Sequence, residues 1–192
     1  MNICIYGASS NIIDDIYFEK TEKLAEKLGR MGYGLVFGGG TNGLMGAAAR
    51  GFKKADSEII GVAPSFFNVD GVLYPECSEL IYTETMRERK KIMEEKADAF
   101  IAVPGGIGTF DELFEILTLK QLGQHKKPVV IFNINNYYDS LDAFLQNAVD
   151  NRFMTKESKE MLPIFNTDDE IIDYLKNYDS GNYSFDLMKK VN

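Results

Sequence analysis

The chain has 192 residues, 45% hydrophobic and 26% charged, with a formal net charge of -8 and a pI near 4.8. That length suits one domain with a sizeable core, and the composition is globular rather than disordered. An acidic surface repels nucleic-acid phosphates and so excludes DNA or RNA binding over a broad face; a phosphate ligand must be met by a local cluster working against the global field.

Short apolar runs alternate with amphipathic ones along the chain. Residues 2–6 (NICIY) read as a buried strand ending at Gly7, and 16–31 as a helix with Ile16, Leu24 and Leu28 on one face, stopped at Gly32. A strand over 34–37 ends in G-G-G, a small-residue helix follows over 44–52, and a strand over 58–63 stops at Pro64. Residues 64–78 read as an irregular loop, 80–82 as a short strand and 84–96 as a charged helix. A strand over 99–103 leads into P-G-G-I-G-T-F-D-E (104–112), and a helix is predicted over 111–122, ending at Gly123. Then come a strand over 128–132, a helix from Asp139 to about Asn151, a strand near Ile164, a helix over 168–177 and a polar tail from 178 to 192.

This alternation predicts a single doubly wound α/β domain over residues 1–177, a parallel sheet with helices on both faces. In such sheets ligands bind beyond the carboxyl ends of the strands. Three glycine-rich turns lie at such ends: Y-G-A-S-S, F-G-G-G-T-N-G and V-P-G-G-I-G-T. No run nears the roughly 18 apolar residues of a membrane span, and the N-terminus lacks a signal-peptide pattern. Cys4 and Cys77 lack metal-type spacing, and the cytoplasm is the expected compartment. With one histidine, His125, a histidine-based metal site is not expected; that residue reads as a helix cap or exposed turn.

Gly38, Gly40 and Gly43 fit G-x-G-x-x-G between a strand and a helix. The match follows the second strand rather than the first, and the next strand ends G-V-A-P without the acid that would hold a ribose. Dinucleotide binding is therefore discounted, and Leu44 stands where a Walker loop needs lysine. Gly43 and Gly46 fit tight turns or helix–sheet packing, whereas the run from Gly38, with Gly39 and Gly40, is a candidate for close approach to a ligand.

Gly105, Gly106 and Gly108 allow several N–H groups to converge on one point, with Thr109 adding a hydroxyl and the next helix its positive end, an anion site suited to a phosphate monoester. Thr109 and Glu112 also fit a capping box, in which Glu112 only bonds back to the helix start; the nonapeptide does not choose. M-R-E-R-K-K-I-M (86–93) concentrates cations in an acidic chain. These are a solvated face or, because Met86, Met93 and Ala97 form an apolar stripe, one of Arg89 and Lys90 faces inward, where an arginine binds phosphate bidentately.

Together G-G-G-T-N-G-L-M-G (38–46), M-R-E-R-K (86–90) and P-G-G-I-G-T-F-D-E (104–112), with Q-L-G-Q-H-K-K-P-V (121–129) and N-N-Y-Y-D (135–139), resemble the signatures of the LOG family of cytokinin riboside 5'-monophosphate phosphoribohydrolases. The resemblance implies a Rossmann-like fold, a homodimer, no cofactor, and cleavage of the N-glycosidic bond of AMP or an N6-modified AMP to free base and ribose 5-phosphate. It carries the catalytic arginine to Arg89 and the glutamate to Glu112. Lys90 and the segment Gly105, Gly106, Ile107, Gly108, Thr109 and Asp111 fall on nucleotide-binding positions. Two positions depart from the family pattern: Arg87 where histidine is frequent and Asp111 where a glutamate is common. The transition state is oxocarbenium-like, so a carboxylate beside the anomeric carbon stabilises it, attacks it or activates water. In a first helical turn Glu112 is expected to be held ionised by the helix dipole, which suits those roles and not a general acid. A non-catalytic nucleotide or cofactor carrier would use the same phosphate turn without needing Arg89 and Glu112 together.

Overall fold

Strands that are apolar at every position need cover on both faces, and the fold supplies it. In the computed structural model, which describes residues 1–180, the strands are β1 (Asn2–Tyr6), β2 (Gly34–Phe37), β3 (Ile59–Pro64), β4 (Glu79–Thr83), β5 (Ala99–Ala102), β6 (Val129–Phe132) and β7 (Ile164–Phe165). They pair in parallel in the order β4-β3-β2-β1-β5-β6-β7. The helices are α1 (Asp15–Arg30), α2 (Gly43–Lys54), α3 (Met86–Lys96), α4 (Ile107–Gln121), α5 (Asp139–Asp150), α6 (Lys156–Glu160) and α7 (Asp168–Asn177). Side chains alternate across the sheet with the period of a strand. Ile3 and Ile5 join a layer with Leu24, Leu28, Phe52 and Ile171, while Cys4 and Tyr6 join the opposite layer with Met93, Leu113, Leu117 and Leu145. The predicted doubly wound α/β class is the observed one.

Three local expectations change. Helix α4 starts at Ile107, four residues before the predicted start. The five-residue α6, capped by the Thr155 hydroxyl accepting from the Ser158 N–H at 3.1 Å, is too short to leave a periodic signal. The start of the expected tail is tied down, since the Tyr178 hydroxyl donates to the Lys126 carbonyl at 2.8 Å; residues 181–192 of that tail lie outside the described residues. Among the described residues no helix is long and apolar enough to cross a membrane.

The winding sets the site. The chain steps outward from β1 to β4, then α3 carries it back to β5 on the other side of β1. The order therefore reverses between β1 and β5, the place where doubly wound sheets open a crevice. The turns at this edge are bonded to one another: the Ala8 N–H donates to the Pro104 carbonyl at 3.0 Å, and the Leu44 N–H to the Ala8 carbonyl at 2.8 Å.

His125 is not an exposed turn residue. It is buried, its Nδ1 accepts from the Lys127 N–H at 3.2 Å, and its Nε2 therefore carries the proton donated to the Ile116 carbonyl at 2.8 Å. Burial holds its pKa below the ordinary imidazole range, so the folded state resists a proton that the unfolded chain accepts. The stability this gives is present above the unfolded pKa of about 6.5 and is lost as pH falls below it. Urea unfolding of His125→Asn is expected to show a loss of about 1–3 kcal/mol at pH 7.5 and a smaller further fall toward pH 5.5 than the wild type shows.

Candidate active site

Helix α3 is fixed at its start by a capping box: the Glu88 N–H donates to the Thr85 hydroxyl at 3.2 Å, and the Thr85 N–H to a Glu88 carboxylate oxygen at 3.3 Å. This anchors the rotation that buries Met93 and Ala97, and Arg89, one turn before Met93, shares their face with only 5% of its surface exposed. The Arg89 Nε donates to the Val62 carbonyl at 3.0 Å and its Nη1 to Glu112 Oε1 at 2.6 Å. The remaining nitrogen, Nη2, lies over Gly38, where any Cβ would collide with it. Gly38 is thus the seat of a guanidinium rather than of a pyrophosphate.

Glu112 comes from α4, whose N-cap is Gly106. Thr109 is the third helical residue and is buried, and Glu112 is the sixth, so the capping box allowed by the sequence does not form. Nor does the dipole of a first turn act on Glu112, which belongs to the second. Burial raises its pKa, and the charge and hydrogen bond of Arg89 oppose that rise without cancelling it. The expectation of a carboxylate made more acidic by the helix is therefore corrected: Arg89 is what favours its ionised form. Beside this pair, Lys90 Nζ binds Asp111 at 3.0 and 3.2 Å and also pairs with Glu115. Neighbouring residues of α3 thus grip neighbouring residues of α4.

In front of Glu112 a cavity of about 310 Å³ takes in Arg89, Asp111 and the first turn of α4, that is Gly106, Ile107, Gly108 and Thr109. Helix geometry leaves the N–H groups of that turn without intrahelical acceptors, and Gly106 has no side chain to take them. Met45, Phe67 and Met86 also line the cavity. Gly105 lies just behind, lining an adjoining apolar pocket of about 230 Å³ with Tyr17 and Tyr137. Lys90 lines a narrow cleft behind Glu112, floored by Tyr6.

Gly39 and Gly40 are not in the wall. The Gly39 carbonyl accepts from the Tyr74 N–H at 2.8 Å, and Gly40 bridges to Leu73, so both hold the loop after β3. The fingerprint glycine Gly43 opens α2 at a φ of 62°, with its N–H donated to Asn11 Oδ1 at 2.8 Å. The start of α2 is therefore filled by the chain itself: the Gly43 and Leu44 N–H groups of the G-x-G-x-x-G turn are taken by Asn11 and Ala8.

Sequence reasoning missed the supports of this site. The hydroxyls of Tyr137 and Tyr138 donate to the carbonyls of Gly105 and Val103 at 2.7 and 2.9 Å, clamping the turn after β5. Asn135 and Asn136, at φ of 53° and 59°, make the left-handed bend that precedes both rings. The signal was the block N-N-Y-Y-D, whose pair of asparagines marks such a bend. The Val62 carbonyl and Asn11 left no signal of this kind.

A protein-family model described as a possible lysine decarboxylase matches residues 45–175. Over 176 residues the chain is 35% identical to cytokinin riboside 5'-monophosphate phosphoribohydrolase LOG2 of Arabidopsis thaliana, covering 92% of this chain and 83% of that protein. The chain belongs to the LOG family. A further member, cytokinin riboside 5'-monophosphate phosphoribohydrolase LOG of Oryza sativa subsp. japonica, is 34% identical over 183 residues, 93% of this chain and 76% of that protein. The fold is also that of a molybdenum cofactor binding protein from Rippkaea orientalis, at a TM-score of 0.71 and 22% identity over 91% of this chain and 94% of that one.

A buried pair is destabilising when one partner is removed. Arg89→Met is expected to cost about 3 kcal/mol at pH 7, the low end for such pairs because Glu112 escapes by taking a proton. Without Arg89 its pKa rises further, so the deficit should shrink as pH falls toward 5, read as the difference between wild-type and variant urea midpoints.

Proposed function

We propose that this chain hydrolyses the N-glycosidic bond of a nucleoside 5'-monophosphate, AMP or an N6-modified AMP such as a cytokinin riboside 5'-monophosphate, giving free base and ribose 5-phosphate. The observation that carries the reading is the buried Arg89–Glu112 pair beside the open start of α4 in one cavity. The N–H groups of the turn from Gly106 to Thr109, with the Thr109 hydroxyl, take the 5'-phosphate, and Gly105 backs this turn. C1' of the ribose then lies toward Glu112. As the bond from C1' to the base breaks, its electron pair leaves with the base and positive charge develops on the ribose, where the carboxylate stabilises it. The oxygen of a water molecule bonds to C1', and its proton balances the departing base. Asp111, held by Lys90, is the candidate acceptor for ribose hydroxyls, while Gly39 and Gly40 act through the loop they anchor.

A carrier would need the phosphate turn but not a desolvated carboxylate beside it, and relatives at 34–35% identity named as phosphoribohydrolases favour turnover. Both cysteines are unpaired, in keeping with a reducing compartment, and the cytoplasm is the proposed location.

Incubation with AMP or N6-isopentenyl-AMP should release free base and ribose 5-phosphate, separable by chromatography. Glu112→Gln should lower kcat by on the order of 100-fold or more while AMP still raises the melting temperature. For wild type, kcat/KM should climb with pH as Glu112 ionises, with the midpoint of that acid limb above the ordinary glutamate value of about 4.3 because burial raises the group. Turnover near the wild-type rate in Glu112→Gln would remove the glutamate from the mechanism.

A homodimer is proposed as well. The outer face of α4 exposes Ile107 at 87% and, with Phe110, Phe114 and Leu119, lines a groove of about 500 Å³, an apolar strip of the kind a partner subunit covers. Light scattering should give twice the 21.6 kDa chain mass for wild type and the single mass for Phe114→Glu.

A further inference from the structure

The cavity lining is part charged and part apolar, and the apolar part has no counterpart in the ribose phosphate. Its three large side chains come from three elements. Met45, from α2, has its sulfur 3.2 Å from where a Cβ on Gly38 would stand, the point that Arg89 Nη2 also crowds. The apolar wall therefore begins where the guanidinium ends. Met86 stands one turn before Arg89 on α3 and so shares its side of the helix. Phe67 ends the short 3-10 turn Ser65–Phe67, with the Phe66 ring edge-on to it at 4.7 Å between centroids.

Phe67 and Met86 remain 38% and 39% exposed at the mouth of this cavity. Large apolar groups left in water beside a polar site gain from a ligand that covers them. The loop that carries Phe67 is tethered rather than free: the Ser65 hydroxyl donates to the Thr83 carbonyl at 3.1 Å, the Thr41 N–H donates to the Val72 carbonyl at 2.9 Å, and Gly39 and Gly40 hold its far end. With phosphate at the start of α4 and C1' beside Glu112, Met45, Phe67 and Met86 are the large apolar side chains of the lining, apart from Ile107 of the phosphate turn, that are left to meet the base.

We infer that Phe67 is a specificity-determining residue of the site, packing against the purine base and, with Met86, against an apolar N6 substituent. Phe67 supplies a flat face for the base, and the flexible thioethers of Met86 and Met45 adapt to the substituent. This rests on the phosphoribohydrolase reading. Phe66 provides the control, because it belongs to the same turn but not to the cavity wall.

The test is steady-state kinetics with AMP and N6-isopentenyl-AMP, together with inhibition by ribose 5-phosphate, for wild type, Phe67→Ala and Phe66→Ala. Phe67→Ala should raise KM for N6-isopentenyl-AMP by about tenfold or more, raise that for AMP by less, and leave kcat within about threefold. The inhibition constant of ribose 5-phosphate, which has no base, should not move, and Phe66→Ala should behave as wild type. Equal losses for the two nucleotides, an inhibition constant that moves with them, or an equal effect of Phe66→Ala would each overturn the inference. If wild type turns over neither nucleotide, the hydrolase reading fails separately. The same comparisons, made by ligand-induced shifts in melting temperature, then decide on Phe67.

Discussion

A carboxylate and a guanidinium share a site from which water is largely removed, and much of the surrounding structure serves that arrangement. Burying two charges costs several kcal/mol per ion, and their attraction offsets this only with good geometry and further hydrogen bonds. The further bond is to the Val62 carbonyl within β3. The space comes from the missing side chain of Gly38 at the end of β2. The angle of approach comes from the capped start of α3 and from the second grip of Lys90 on Asp111 and Glu115. Four elements meet at one ion pair, and the topology is what lets them. The return from β4 to β5 passes α3 across the sheet next to α4.

The three glycine turns divide the labour. The first gives up Ala8 and Asn11 to hold the start of α2. The second seats Arg89 on Gly38 and ties down the loop of Phe67 through Gly39 and Gly40. Only the third opens a helix into the cavity, and two tyrosines from beyond β6 stiffen it from behind. Glycine-rich sequence at a strand end thus reports that something comes close, without reporting whether it is ligand or protein.

That distinction marks how far the sequence could be read. Strand and helix order was legible because burial on both faces forces continuous apolar runs, and Leu24, Leu28 and Met93 keep a helical period. The inward turn of either Arg89 or Lys90 was legible from the stripe of Met93 and Ala97, and the bidentate chemistry of arginine favoured Arg89, but adjacent residues differ only by a rotation of the helix that the stripe does not fix. The start of α4 was misread because Gly106 and Gly108 are poor helix formers and Thr109 with Glu112 imitates a cap. That error carried the electrostatics of Glu112 with it, since a dipole acts over one turn and desolvation depends on neighbours far away in sequence. His125 looked exposed for the same reason: its partners, Ile116 and Lys127, are close in sequence, but its burial comes from tertiary packing around the Phe100 ring. Phe67 gave no sign at all, because an irregular loop has no period from which to read an inward face.

Two helices, α2 and α4, begin beside the same crevice, yet they are not equivalent to an anion. The first N–H groups of α2 are already spent on Asn11 and Ala8, as though the chain had bound a ligand of its own making. The start of α4, capped by Gly106, has no side chain taking its first N–H groups. In dinucleotide sites a pyrophosphate rests on the start of the one helix that follows the glycine turn, and here that start, on α2, already has an internal tenant. What fills the start of α2 is prior occupancy rather than repulsion, and part of it is an asparagine side chain outside the glycine motif.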